Sequence, residues 1–260
     1  MWSEVLAGYI KNRNLIFYIH IYYIMDINTF LKHKKLMLES LGIAEGVDDP
    51  SIFKAVFMAG GPGSGKSYVV NKLTLEPLGF KIVNSDEVYE RMLKKAGLKT
   101  TPEDIFSSTG QQIRVAAKQK SDIRQNAYLD GKLGVIIDGT GKDYNKISQM
   151  KTYLDSLGYE TAMVFVNSDI DTAQKRNAKR ERSLPADQVD AMWKSVQNNI
   201  GKFSNLFRDN FYIIDNSEAN IGDSIEKATN KTFVKLKSWA DKPVTNPIAK
   251  QWIASKGGRL

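Results

Sequence analysis

From Lys54 onward the chain alternates short, nearly continuous apolar runs with longer segments whose apolar residues recur at helical spacing. Lys54–Ala59 (KAVFMA) is such a run and leads into glycines, the pattern of a parallel strand buried on both faces. Lys81–Asn84, Leu133–Asp138, Glu160–Asn167 and Asn210–Asp215 repeat it, which gives five expected strands. Between them fall expected helices over Ser64–Leu73, Glu87–Ala96 and Gln111–Leu129. A further one has Ile147, Met150, Leu154 and Leu157 on one face and Gly158 as its stop. Asp169–Arg182 reads as a strongly basic helix, and Pro185 opens another that carries Val189, Met192, Trp193, Val196 and Ile200. This βα alternation predicts a three-layer α/β domain, a five-stranded parallel sheet with helices on both faces.

The two ends read differently from this middle. Residues 1–50 form an N-terminal extension, residues 51–218 the α/β domain and residues 219–260 a basic C-terminal helix and tail. The apolar run Leu15–Met25 is interrupted by His20 and is shorter than the roughly 20 residues that span a bilayer. Lys11 and Arg13 ahead of it imitate a signal peptide, but no small-residue cleavage site follows. Residues 1–24 read as lying upstream of a true start at Met25, with a polar helix over Asp26–Leu41 after it, and no catalytic role is expected of them. The chain is expected to be cytoplasmic, with no membrane partner. At the other end a helix through Ile225, Ala228, Leu236 and Trp239 is expected to pack back on the sheet, and the stretch after Lys242 to be a loose extension. Ile221–Leu260 carries eight Lys and Arg against three Asp and Glu, which allows a nucleic-acid contact but is equally the composition of a solvated face.

Composition narrows the chemistry. The 260 residues include no cysteine, so disulfides, thiolate metal sites and a cysteine nucleophile are excluded. The two histidines, His20 and His33, both precede the α/β segment, which argues against a histidine zinc site or a Ser-His-Asp triad. A net charge of +8 favours anionic partners such as nucleotides or nucleic acid.

The strongest chemical signal follows the first strand. Gly60-Gly61-Pro62-Gly63-Ser64-Gly65-Lys66-Ser67 fits G-x-x-x-x-G-K-[ST], between an apolar strand and an expected helix. Glycines let successive N–H groups wrap a phosphate, and the helix N-terminus adds its partial positive charge to the same place. Gly61, Pro62, Gly63, Ser64, Gly65, Lys66, Ser67 and the following Tyr68 are the expected ATP-binding residues. Lys66 reaches the β- and γ-phosphates and the Ser67 hydroxyl ligates Mg²⁺. No Asn-Lys-x-Asp motif follows, which argues against a GTPase.

Three other groups are candidates by position. Asp86 follows the second strand, where its carboxylate can accept the proton of an attacking hydroxyl; a helix N-cap accounts for the same residue. Asp138 ends the third strand ahead of Gly139-Thr140-Gly141, where it can hold Mg²⁺; a tight turn has the same composition. Arg176 and Arg180 are four residues apart on one face of the basic helix, placed to neutralise a transferring phosphoryl group; a solvated basic face is the plainer account.

Phe57 to about Asp215 resembles the zeta-toxin and polynucleotide-kinase branch of P-loop kinases. Ile137-Asp138-Gly139-Thr140-Gly141-Lys142 followed by Leu157-Gly158-Tyr159-Glu160-Thr161 is similar to a zeta-toxin pattern. Lys175-Arg176-Asn177-Ala178-Lys179-Arg180 with Pro185 and residues 192–195 resembles the lid of phage-type polynucleotide kinases. The chain departs from both: zeta toxins usually carry Glu where Asp138 stands, and polynucleotide kinases carry Asp where Gly139 stands. The resemblance implies a P-loop fold with an arginine-bearing lid, ATP and Mg²⁺ as cofactors, Asp86 as base and Arg176 and Arg180 as lid arginines. It implies transfer of the γ-phosphate to a hydroxyl of a nucleotide sugar, a polynucleotide 5′-end or another small alcohol. A nucleotide-dependent switch that phosphorylates nothing is the alternative.

Overall fold

Five short strands form one parallel sheet in the order β2-β3-β1-β4-β5. They are β1 (Lys54–Ala59), β2 (Lys81–Val83), β3 (Val135–Asp138), β4 (Glu160–Asn167) and β5 (Phe211–Asp215). The computed structural model describes residue 47 and residues 49–73, 75–180, 183–218 and 223–257, all within one compact unit. The apolar run Leu15–Met25 and the expected helix Asp26–Leu41 lie outside the described residues. None of the described helices is long and apolar enough to cross a membrane.

Alternation along the strands sorts side chains between the two faces. Ala55, Phe57 and Ala59 of β1 join Val135, Met163 and Phe165 in one apolar layer. Val56 and Met58 join Ile136, Val164 and Ile214 in the other. The first layer is covered by α5 (Tyr144–Ser156), α7 (Ala186–Gln197), α8 (Ile200–Phe207) and α10 (Pro247–Ser255), through Leu154, Val196, Phe203 and Ile253. The second is covered by α1 (Lys66–Leu73) and α9 (Asp223–Ala240), through Val69, Leu73, Ile225 and Leu236. The expected three-layer architecture is therefore the observed one. Between β2 and β3 the chain inserts α2 (Ser85–Lys95), α3 (Pro102–Phe106) and α4 (Ser108–Asp130), which share a small core of Tyr89, Leu93, Ile105 and Ala117. Between β4 and α7 lies α6 (Ile170–Ala178).

The bounds of β1 and β4 are those the apolar pattern predicts. The short helix α3 is not among the expected elements, although its signals are present: Thr101 caps it, Pro102 opens it and Glu103 and Asp104 fill its first turn. The expected basic helix over Asp169–Arg182 is shorter in the structure. It is capped by Asp169 and ends at Ala178, because Asn177 turns its side-chain amide onto the backbone of Leu184.

The C-terminal stretch also differs from expectation. As expected, α9 packs on the sheet, but the chain after Lys242 is not loose. Ala249 and Ile253 of α10 are buried in the first layer, and Trp252 meets Phe53 edge-on with ring centroids 5.5 Å apart. A buried ion pair fixes the approach to α10. Lys54, 1% exposed at the start of β1, reaches Glu160 Oε2 at 2.6 Å, while Glu160 Oε1 accepts from the Thr245 amide at 2.5 Å and hydroxyl at 2.7 Å. An apolar periodicity alone does not announce this, since the contact joins residues far apart in sequence.

Burial pushes the Glu160 carboxyl up, but the hydrogen bonds from Lys54 and Thr245 outweigh it and hold the group below its usual range. Glu160→Ala leaves the Lys54 ammonium buried without its counter-charge, and unfolding stability is expected to fall by about 3–5 kcal/mol in urea denaturation. Lys118→Ala, which breaks the exposed Lys118–Asp122 pair, is expected to change it by no more than about 0.5 kcal/mol. Because the folded-state pKa of Glu160 is depressed, its contribution is present above the unfolded-state value and is lost as pH falls through the folded one. Stability of the parent chain should thus drop below about pH 4 more steeply than that of Glu160→Ala. Parallel acid limbs for the two proteins would refute this assignment.

Candidate active site

The strand order sets β1 beside β3, and the register places Met58 opposite Asp138. The loop after β1 and the turn after β3 therefore leave the sheet together at its C-terminal edge, where ligands gather in open α/β sheets. Two backbone bonds join them: the Gly139 amide donates to the Met58 carbonyl at 3.0 Å and the Gly60 amide to the Thr140 carbonyl at 3.2 Å. Gly63 and Gly65 hold φ of 75° and 80°, the left-handed region that favours glycine. A Cβ on Gly63 would also collide with the Ala173 backbone of α6, so α6 lies directly against the loop.

Lys66, the first residue of α1, forms an ion pair with Asp138 Oδ1, both side chains being mostly buried. The other oxygen of Asp138 accepts from Asn84 Nδ2 at 3.3 Å. Asn84 ends the β2 segment and caps α2, its Oδ1 accepting from the Asp86 amide at 2.9 Å. The cap role open to Asp86 is thus taken by Asn84, and Asp86 stands in the exposed first turn of α2 with its carboxylate free of that duty. Ser67 and Tyr68 are exposed on the first turn of α1, Tyr68 with Lys72 Nζ over its ring. Among the described residues no three His, Cys, Asp or Glu side chains gather as a metal cage. The donors offered here, the Ser67 hydroxyl and the Asp138 carboxylate, are the hard oxygen ligands that suit Mg²⁺, which keeps waters and substrate phosphates in its shell.

The two arginines are separated by the structure. Arg176 lies in the last turn of α6, half-buried, with Nη1 3.5 Å from the Gly63 carbonyl. Arg180 is exposed and lies beyond the C-cap Lys179, its amide donating to the Asn177 carbonyl. The two do not share a helix face, which corrects the expectation drawn from their spacing. The cause is the Asn177 clamp: its amide donates to the Leu184 carbonyl at 2.7 Å and accepts from the Leu184 amide at 3.0 Å. The start of α6 is equally fixed. Asp169 accepts from the Thr172 hydroxyl and amide, each at 2.6 Å, and these bonds hold its carboxyl below the ordinary range.

Four asparagines that the sequence reading did not single out therefore build the site: Asn84, Asn177, Asn199 and Asn216. Asn199 is buried and donates to the carbonyls of Gly141 and Lys142, closing the turn after β3. Beside that turn opens a cleft of about 460 Å³ lined by Lys142, Tyr144, Ser195 and Lys202 among others. Asn216, just after β5, donates 2.7 Å to the Ser64 carbonyl. No motif marks them, because asparagine is a common turn residue.

Residues 56–198 match the family model described as an AAA domain. No curated protein matches the sequence. Among solved structures, the complex of AvrRxo1-ORF1 with AvrRxo1-ORF2, determined with sulphate ions, aligns with a TM-score of 0.51 and 14% identity. The alignment covers 71% of this chain and 62% of that one. The PezAT chromosomal toxin-antitoxin system of Streptococcus pneumoniae aligns at 0.46 and 10% identity, covering 83% and 96% of the two chains. A gluconokinase from Sinorhizobium meliloti aligns at 0.41 and 14% identity, covering 72% and 95%.

Asn177→Ala removes both bonds that close the turn after α6 and strands two backbone groups beside a buried position. Stability is expected to fall by about 2 kcal/mol in urea denaturation. A change under about 0.5 kcal/mol would show that the clamp does not hold the turn.

Proposed function

As the chain belongs to the AAA domain family, we propose that it is an ATP- and Mg²⁺-dependent kinase of the zeta-toxin-like P-loop type. The acceptor in this reading is a hydroxyl of a nucleotide sugar, a polynucleotide 5′-end or another small alcohol, and the setting is the cytoplasm. The observation that carries it is the contact of Lys66, at the start of α1, with Asp138 at the end of β3, with Asp86 held one capping bond away through Asn84.

Each residue has a distinct task. The loop amides and Lys66 bind the β- and γ-phosphates. The Ser67 hydroxyl and Asp138 would hold Mg²⁺, which when bound neutralises phosphate charge. Asp86 orients the acceptor hydroxyl and takes its proton as the oxygen attacks the γ-phosphorus. The bond from that phosphorus to the β-phosphate oxygen breaks, and ADP leaves with the electron pair. Arg176, with Nη1 3.5 Å from the Gly63 carbonyl, stabilises the transferring group; Arg180 serves from the exposed turn beyond it. Lys142 and Lys202 outnumber the carboxylate of Asp143 at the cleft beside the turn after β3, which favours an anionic acceptor.

The test is γ-labelled ATP with a panel of nucleotide sugars, 5′-hydroxyl oligonucleotides and small alcohols. Label is expected in an acceptor with the parent chain and in none with Lys66→Ala. Asp86→Asn should keep ATP binding and lose transfer by about 10²–10⁴-fold. Release of free phosphate alone, across the whole panel, would favour a nucleotide switch. An Asp86→Asn protein that transfers at the parent rate would remove Asp86 from the role of base.

A further inference from the structure

Three residues that follow β5 make contacts for which the kinase reading has no use. Asn216 is buried, and its Nδ2 donates 2.7 Å to the Ser64 carbonyl, far away in the chain. The same nitrogen fills the place a Cβ at Gly65 would take. Ser217 accepts from the Asp169 amide at 2.9 Å through Oγ and donates that hydroxyl to Asp215 at 2.7 Å. The Glu218 amide donates to the Thr172 hydroxyl at 2.9 Å. One tripeptide thus grips the phosphate loop with its first residue and the start of α6 with the next two.

The grip on Ser64 has a geometric consequence. The Ser64 carbonyl and the Gly65 N–H belong to one planar trans peptide, so they point in opposite directions. Fixing the carbonyl toward Asn216 fixes the N–H away from it. A glycine at φ 80° offers little steric resistance to rotation of that peptide, so the loop by itself does not decide which way the N–H faces. A phosphate nest works only when its amides converge.

We propose that Asn216 is a positioning residue for phosphate binding, which holds the Ser64 carbonyl outward and thereby aims the Gly65 N–H at the nucleotide phosphates. The inference rests on the loop being the nucleotide site but not on any acceptor or on phosphoryl transfer. It makes Asn216, not the glycines alone, the source of the loop's preorganisation. Its amide must donate, so a carboxylate of the same shape is the wrong group: Asp at this position would face a carbonyl oxygen and add negative charge near the phosphates.

The experiment is titration of the full chain with a fluorescent ATP analogue in Mg²⁺, with inorganic tripolyphosphate as competitor, alongside thermal unfolding. Asn216→Ala is expected to weaken both ligands about tenfold, the loss of roughly one well-made hydrogen bond's effect. Asn216→Asp should weaken them further, and Asn216→Ser, which keeps a donor, should lie between Asn216→Ala and the parent. Equal losses for ATP and tripolyphosphate place the defect at the phosphates, which a general loosening of the fold does not do. In turnover the same variants should raise KM for ATP and leave kcat within about threefold. A folded Asn216→Ala that binds both ligands like the parent overturns the inference and leaves the kinase reading standing. If Asn216→Ala does not fold, parent-like binding by Asn216→Asp overturns it. A parent chain that binds neither ligand, with Lys66→Ala no different, overturns the nucleotide site itself and the inference with it.

Discussion

A phosphate-binding loop must turn its N–H groups inward, and a peptide that does so turns its carbonyl outward. The Gly61 carbonyl finds its partner within the loop, in the Ser64 amide, while those of Gly63 and Ser64 are met from other segments at the sheet's C-terminal edge. Asn216 from the end of β5 takes the Ser64 carbonyl, and Arg176 from α6 lies at that of Gly63. The turn after β3 exchanges backbone bonds with both sides of the junction between β1 and the loop. The turn after β3, the residue after β5 and the segment after β4 thus all reach the same few residues. The order β2-β3-β1-β4-β5 makes this possible by placing β1 in the middle. A loop on an edge strand would have neighbours on one side only.

The same contacts tie the arginine-bearing segment to the sheet. Asp169 starts α6 and is held by Ser217, Asn177 ends it and is held to Leu184, and Gln174 in its middle donates to the Ala186 carbonyl and to Asp190 of α7. Trp193 of α7 returns to the Ser168 carbonyl at 2.8 Å. Polar side chains here mostly bond to backbone, which specifies position without demanding a large apolar surface. Such a segment sets Arg176 against the loop and is held in register at both ends.

How much of this was legible in the sequence depended on the range of the signal. β1 and β4 were readable to the residue, because a strand buried on both faces must be apolar throughout. The loop and its Lys66 were readable because the motif demands glycine and lysine at fixed spacing, and Asp138 was readable as the strand-end residue beside it. Arg180 was misplaced for an instructive reason. Helical spacing continued through Lys179 and Arg180, but a side chain two residues earlier, Asn177, diverted the backbone. The buried Lys54–Glu160 pair and its hold on Thr245 were invisible as well. Nothing local says that a lysine opening a strand is buried, and the packed α10 that follows was read as a tail. The Lys54–Glu160–Thr245 contact joins distant segments and the Asn177 clamp is a side-chain bond to backbone, and for neither does the sequence have a periodicity to display.

In the proposed kinase reading, the donor and acceptor sides of the site are built on different physics. The donor side is read by backbone, so it needs particular conformations and few particular side chains, and any chain that meets them carries the same glycine-rich signature. The insert of α2, α3 and α4 has its own core of Tyr89, Leu93, Ile105 and Ala117, and it joins the sheet at the short edge strand β2 and through Leu129 of α4, buried in the first layer. An acceptor met there would be recognised by exposed side chains on a semi-independent layer. That layer can change its surface without disturbing β1, β3 or the loop between them. Asn84 links the two sides, its two amide atoms reaching Asp138 and the first turn of α2. That side chain thereby sets the candidate base, Asp86, in register with the candidate metal carboxylate, Asp138.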